Sequence, residues 1–250
     1  MHTEQPNPVD ETTPGLDPRG VVFDFDGTVA DTRSSIISTF EETFRRLELP
    51  YPGEETIAAT IGIPLHISFQ VAADMSEDES NAATEVYREV FRDRELVDVR
   101  LFDGMREVLD ELSRRGMPLG IASSRSRPSL SRLIDYLGLT DHFGVVAGRE
   151  DAPREKPYPD LLLGVARALG IEPQHLLVVG DTTFDIEMAH NAGALSCAVR
   201  YGNHSAESLA RVSPTVTIDA PAQLLQLLAP AGVEPADVES RPADDVRSRP

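Results

Sequence analysis

Val21-Val22-Phe23-Asp24-Phe25-Asp26-Gly27-Thr28 carries two carboxylates, one residue apart, where an apolar run gives way to a glycine turn. Side chains along a strand alternate between faces, so Asp24 and Asp26 point the same way while Phe23 and Phe25 pack on the other side. Like charges this close repel unless a cation sits between them. A bound Mg²⁺ meets that need and leaves one carboxylate to attack phosphorus and the other to handle protons. A strand that simply ends in an Asp-Gly turn accounts for the same residues, since this dipeptide is common turn punctuation. The rest of the chain decides between the two.

At 250 residues, 40% hydrophobic and 26% charged, the chain has the length and composition of one globular domain with a large core and a smaller insert. It carries 23 basic and 42 acidic residues, a net charge of −19, which opposes nucleic acid and anionic membrane as partners. An anionic substrate must then be held by local cations. No apolar run is long enough to cross a bilayer, and the N-terminus lacks a basic segment followed by a hydrophobic one. Cys197 is the only cysteine, so no intramolecular disulfide forms; its setting, Ala194-Leu195-Ser196-Cys197-Ala198-Val199, favours a packed thiol over a nucleophile. Together these features predict a cytoplasmic protein. Oligomeric state is left open.

Residues 1–18 and 230–250, rich in Pro and polar residues without periodicity, are expected to be disordered tails. Between them, short apolar runs predict buried parallel strands at Val21–Phe25, Pro118–Ala122, Gly144–Ala147, Leu176–Val179, Ala194–Val199 and Thr215–Ile218. Helical faces intervene. Met105, Val108, Leu109 and Leu112 share one, behind Asp103 as a candidate N-cap; Leu130, Leu133, Ile134 and Leu137 share another; Leu161, Leu162, Val165 and Leu169 a third. This alternation predicts an α/β fold, a doubly wound parallel sheet, with residues 19–31 and 101–229 as its core. Residues 32–100 contain no convincing strand but show helical faces at Ile37, Phe40, Phe44 and Leu47 and at Val86, Val90 and Val97. A helical insert there sits above the carboxyl edge of the sheet, placed either as a lid or as a purely stabilising subdomain.

Three further strand ends carry polar groups. Ser123-Ser124-Arg125 follows the second core strand, and such hydroxyls and N–H groups suit phosphate oxygens as well as helix N-capping. Lys156 follows the third, next to Pro157, which restrains its loop and makes its ammonium a fixed point charge if it is not merely solvated. Gly180-Asp181-Thr182-Thr183-Phe184-Asp185 follows the fourth. With Asp181 as N-cap and Asp185 one turn on, both carboxylates face the strand edge as oxygen ligands for Mg²⁺, or Asp181 simply caps the helix.

With these four signals in order after four core strands, the chain resembles the haloacid dehalogenase superfamily of aspartate-nucleophile phosphohydrolases over roughly residues 20–228. Within subfamily IA it is most similar to the phosphoglycolate phosphatase branch, through Asp31-Thr32 and Thr60-Ile61-Gly62-Ile63-Pro64-Leu65. The resemblance implies that the insert is a type 1 cap, that Asp24 is the nucleophile and that Asp26 is the acid and then the base. It implies Mg²⁺ held by Asp24, Asp26 through its backbone carbonyl, and Asp181, with Asp185 in support. Ser123 is implied to donate to a phosphoryl oxygen and Lys156 to stabilise the nucleophile and developing negative charge, on a small phosphorylated metabolite with 2-phosphoglycolate first among them; Ser124 and Arg125, at the same strand end, are read as substrate contacts. The β-phosphoglucomutase branch usually has a histidine where this chain has Ile36, which weighs against mutase chemistry. Asp26 weighs against dehalogenase chemistry. Pyrophosphatase or sugar-phosphate phosphatase activity shares the same core residues, and a non-catalytic phosphometabolite-binding protein that kept the fold is the alternative of another class. Arg45 and Arg46 could read a substrate anion or lie on a solvated helix face.

Overall fold

The computed structural model describes residues 16–94 and 96–228. Six parallel strands form the sheet, β1 (Gly20–Phe23), β4 (Leu119–Ala122), β5 (Val145–Ala147), β6 (Leu176–Gly180), β7 (Leu195–Val199) and β8 (Val216–Ile218), in the order β5-β4-β1-β6-β7-β8. A short antiparallel ribbon, β2 (Ala30–Asp31) with β3 (Arg100–Leu101), marks where the chain leaves and rejoins this core. Between its strands lie α1 (Arg33–Arg46), α2 (Glu54–Ala58), α3 (Leu65–Ala73) and α4 (Glu77–Arg94). The remaining helices are α5 (Met105–Arg114), α6 (Arg127–Tyr136), α7 (Asp160–Leu169), α8 (Thr183–Ala192), α9 (Ala206–Arg211) and α10 (Gln223–Leu227). The α/β, doubly wound parallel sheet is as the sequence predicts.

Both faces of the sheet are covered, which is why its strands read as continuous apolar runs. On one side Val21 and Phe23, followed by Phe25, pack with the Met105, Val108, Leu109 and Leu112 face of α5, with Leu130 and Leu133 of α6 and with Leu224 of α10. On the other, Val22 packs with Leu161, Leu162 and Val165 of α7 and Met188 of α8. The chain steps one way from β1 through β4 to β5, and the other way from β6 to β8. Strand order therefore reverses beside β1, and a crevice opens at the carboxyl ends there.

The insert has its own small core, in which Phe40 and Phe44 of α1, Phe69 of α3 and Tyr87 of α4 meet ring to ring. Here the structure corrects one expectation. On α4 the buried face is Ala83, Tyr87 and Val90, whereas Val97 lies beyond the helix and is 46% exposed. Helix α5 is capped by Gly104 with φ +81°, not by Asp103, because the backbone must enter the helix through a left-handed residue. Of the expected tails, residues 16–18 belong to the fold: the Leu16 N–H donates to the Leu227 carbonyl at 2.8 Å. The rest of both tails lies outside the described residues. No helix among the described residues is long and apolar enough to cross a membrane.

Candidate active site

Strand β1 stops at Phe23, and the Asp24 N–H donates to the Val179 carbonyl at 2.9 Å, which ties the carboxylate to the end of β6. Asp24, Asp181 and Asp185 converge there, all buried, each with an oxygen within 4.8 Å of the others. The Lys156 ammonium donates to Asp24 Oδ1 and Asp185 Oδ1, both at 2.6 Å, and its side chain is 3% exposed. Lys156 is therefore a fixed buried charge, not a solvated surface lysine. Burial works against its protonated form, yet the two carboxylates outweigh that and raise its pKa.

The structure corrects the cap of α8. Thr182 is the N-cap, and Asp185 sits at the third helical position of a capping box, its Oδ2 accepting from the Thr182 N–H at 3.0 Å and hydroxyl at 2.6 Å. Asp181 stands one residue before the cap. Its Oδ1 accepts from the Thr28 hydroxyl at 3.1 Å and its Oδ2 from the Asn203 N–H and side-chain amide at 2.7 and 2.8 Å. Two glycines make room for it: a Cβ on Gly27, at φ +85°, would lie 2.2 Å from Asp181 Oδ2, and one on Gly202 would lie 2.2 Å from Asp181 Cβ.

Three buried acids against one ammonium leave the cluster over-negative. Burial, then repulsion from Asp185, pushes Asp181 up to about 7, although Asn203 and Thr28 pull the other way. Asp24 is likewise raised well above the carboxylate range by burial; Lys156 opposes this, and Asp185, Asp181 and Asp26 add to it. An all-oxygen, over-negative donor set fits a hard divalent cation.

Asp26 lies outside this acidic cluster. Its Oδ2 accepts from Arg125 Nε at 2.9 Å, its Oδ1 from Arg125 Nη2 and from the Thr32 hydroxyl at 2.6 Å. Burial would raise its pKa, but the Arg125 charge and hydrogen bonds, with that of Thr32, hold it below the ordinary value. Ser123 is buried, its Oγ accepting from the Arg125 N–H at 3.2 Å, while the Ser124 hydroxyl reaches the Gly62 carbonyl of the insert at 3.5 Å.

Asp24, Asp26, Ser123, Ser124, Arg125, Lys156 and Asp185 all line one cavity of about 580 Å³ between sheet edge and insert. Thr60 to Leu65, the turn that leads into α3, and Ile36, Tyr87 and Phe91 form its far wall. Asp181 sits behind it. Arg45 and Arg46 do not line it; both pair with Glu42 on the open face of α1.

Residues 21–199 match the profile of the family described as haloacid dehalogenase-like hydrolase. The chain belongs to the haloacid dehalogenase-like hydrolase family. It is 36% identical over 203 residues to a probable phosphatase, IndB, of Dickeya dadantii (80% of this chain, 88% of the relative). It is 31% identical over 235 residues to phosphoglycolate phosphatase of Escherichia coli K12 (85% of this chain, 93% of the relative). The solved structure of a putative haloacid dehalogenase-like hydrolase from Bacteroides fragilis superposes with a TM-score of 0.80 at 26% identity, over 83% of this chain and 100% of that one. As a haloacid dehalogenase-like hydrolase the chain is an enzyme, of the phosphatase kind.

Two residues at this haloacid dehalogenase-like site lie outside the sequence motifs, Asn203 and His204, whose Nδ1 accepts from the Thr183 N–H at 3.1 Å; Thr32 and Thr182 stand inside motifs, which gave them no partner. A signal existed for Asn203. It stands just past the end of β7 in Tyr201-Gly202-Asn203, so the rule that polar groups after core strands gather at one edge extends to a fifth strand.

Proposed function

We propose that this hydrolase is a Mg²⁺-dependent phosphomonoesterase that works through a phosphorylated Asp24 on a small phosphorylated metabolite. The observation that carries this reading is the buried Asp24–Lys156–Asp185 cluster opening onto a cavity that Asp26 also lines. Asp24 attacks phosphorus, and Lys156 offsets charge on its carboxylate. Asp26, held ionised by Arg125 in the free site, takes up a proton as the phosphate dianion binds beside it, gives that proton to the departing alkoxide and then takes one back from the water that cleaves the intermediate. Ser123, which lines the same cavity, donates its hydroxyl to a phosphoryl oxygen. Asp24, Asp181 and Asp185, with the Asp26 backbone carbonyl, would hold the Mg²⁺, which neutralises phosphoryl charge when bound. The single thiol, Cys197, is buried and unpaired, in keeping with a cytoplasmic setting.

The name of the Escherichia coli relative puts 2-phosphoglycolate first among substrates to try. The cavity also favours a second reading. Its volume of about 580 Å³ falls in the range of roughly 300–1,000 Å³ that holds far larger ligands, which supports a sugar phosphate or similarly bulky ester. A panel of phosphomonoesters compared by kcat/KM tests both: phosphate release that needs Mg²⁺ and stops with chelator is expected for at least one member. Failure on every member with metal present would contradict the assignment.

Metal affinity should depend on pH with a definite sign. Asp181 folds with a pKa of about 7, above an unfolded carboxylate value of roughly 4. The metal-free fold therefore keeps a proton that the unfolded chain has lost, and this contribution to stability, full at acid pH, disappears as pH rises through about 7. Mg²⁺ requires the ionised forms of Asp181 and Asp24, so its apparent Kd should fall by at least about tenfold per pH unit as pH rises toward neutrality. Calorimetric titration of metal across that range checks this; a flat dependence would contradict it.

A further inference from the structure

The guanidinium of Arg125 is held between the insert and Asp26. Its Nε and Nη2 pair with the two oxygens of Asp26, its Nη1 donates to Ser129 Oγ at 3.0 Å, and its central carbon lies 4.9 Å from the ring centroid of Phe91. Phe91 in turn stacks on Tyr87, centroids 5.7 Å apart and planes 14° apart. Both aromatics belong to α4 of the insert, and Tyr87 is locked against Phe40 of α1 at 4.8 Å. The side chain of Arg125 is 8% exposed. A chain of contacts thus runs from the core of the insert, through Tyr87, Phe91 and a planar cation, to the Asp26 carboxylate.

From this geometry we propose that Arg125 is a positioning residue for Asp26, and that α4 sets the aim of the acid–base carboxylate through Phe91. The proposal rests on the phosphomonoesterase reading. A bidentate fork fixes the plane of a carboxylate as a point charge cannot, and stacking on an aromatic face fixes the plane of the fork. Ser129 takes a third N–H and blocks rotation about the remaining axis. The angle at which Asp26 meets a leaving oxygen is then a property of where the insert sits over the sheet. A side chain that merely recognised a substrate anion would not need both oxygens of Asp26, nor a ring from the insert behind it.

The test uses a chemical difference between two substrates. An alkyl phosphate such as glycerol phosphate releases an alkoxide that needs a proton from Asp26, whereas p-nitrophenyl phosphate releases a phenolate that does not. Arg125→Lys keeps the charge and loses the fork; Phe91→Leu keeps apolar volume and loses the ring face. Well-placed general acids contribute roughly 10²–10⁴-fold, so Arg125→Lys should lower kcat/KM for the alkyl ester at least about tenfold more than for the aryl ester. Phe91→Leu, which leaves the Asp26 contact itself in place, should act in the same direction by about threefold. Equal losses on the two esters in both variants, or a rise in KM alone, would overturn the proposal and make Arg125 a structural or substrate-recognition residue. The phosphomonoesterase reading is checked apart, in the same assay, by Asp24→Asn: turnover surviving that change defeats the reading itself, while its loss beside equal effects on both esters defeats only the role of Arg125.

Discussion

Asp24→Asn is expected to abolish phosphate release, by more than about 10⁴-fold in kcat, while leaving the fold intact. The amide has the shape of the carboxylate but no nucleophilic oxygen, and Asp185, the other carboxylate that meets Lys156 at the cavity, has its second oxygen tied to the Thr182 N–H and hydroxyl. Stability should not suffer. Lys156 keeps Asp185 at 2.6 Å, and removing one of three buried acids relieves the repulsion that, together with burial, raises Asp24 and Asp181. A melting temperature equal to or above that of the parent, with no turnover, is the expected pair of results. Retained turnover would move the nucleophile elsewhere, and a collapsed fold would show that the carboxylate's main role is structural.

Lys156→Met should have the opposite balance, losing both activity and stability. It deprives Asp24 and Asp185 of the ammonium that each contacts at 2.6 Å, inside a site where both side chains are nearly inaccessible. Breaking a buried pair by removing one partner costs about 3–5 kcal/mol, which for a chain of this size lowers Tm by about 10 °C. Without the cation, which opposes the rise at Asp24, that carboxylate holds its proton to still higher pH, so the deficit should shrink on acidification and shrink again when Mg²⁺ supplies the missing charge. The loss of charge stabilisation at the reacting carboxylate should lower kcat by about 10²–10³-fold. Thermal melts with and without Mg²⁺, at acid and at neutral pH, check the stability claim; a variant that melts with the parent under all of these conditions would show that the cluster does not depend on its lysine.

Much of this site is legible in the sequence because strands and chemistry coincide in it. A parallel strand buried on both faces announces itself as an apolar run, and the residues just past each run must lie at one edge of the sheet, so Asp24, Ser123, Lys156 and Asp181 can be placed together before any distance is known. The boundaries that moved did so for local reasons, such as left-handed Gly104 before α5 or Thr182 taking the cap from Asp181. Pairing across the chain is not legible in this way. Arg125 looks like a substrate reader because sequence gives its address on the cavity but not its partner, Asp26, 99 positions away. Asn203 illustrates the same limit, since an Asn in a glycine turn announces a turn and not the two hydrogen bonds it gives to a buried carboxylate. The face of α4 is only partly legible because Tyr87, at the centre of the insert's core, carries a hydroxyl and stands out less than the valines around it.

The central claim is a covalent bond between phosphorus and the Asp24 carboxylate. Rapid acid quench of the enzyme during turnover, with mass analysis of its peptides, reads that bond directly. The account predicts one added phosphoryl group on the peptide containing Asp24, present in the parent and absent from Asp24→Asn. Steady product formation with that peptide unmodified at every quench time, or the label on a different residue, would contradict it.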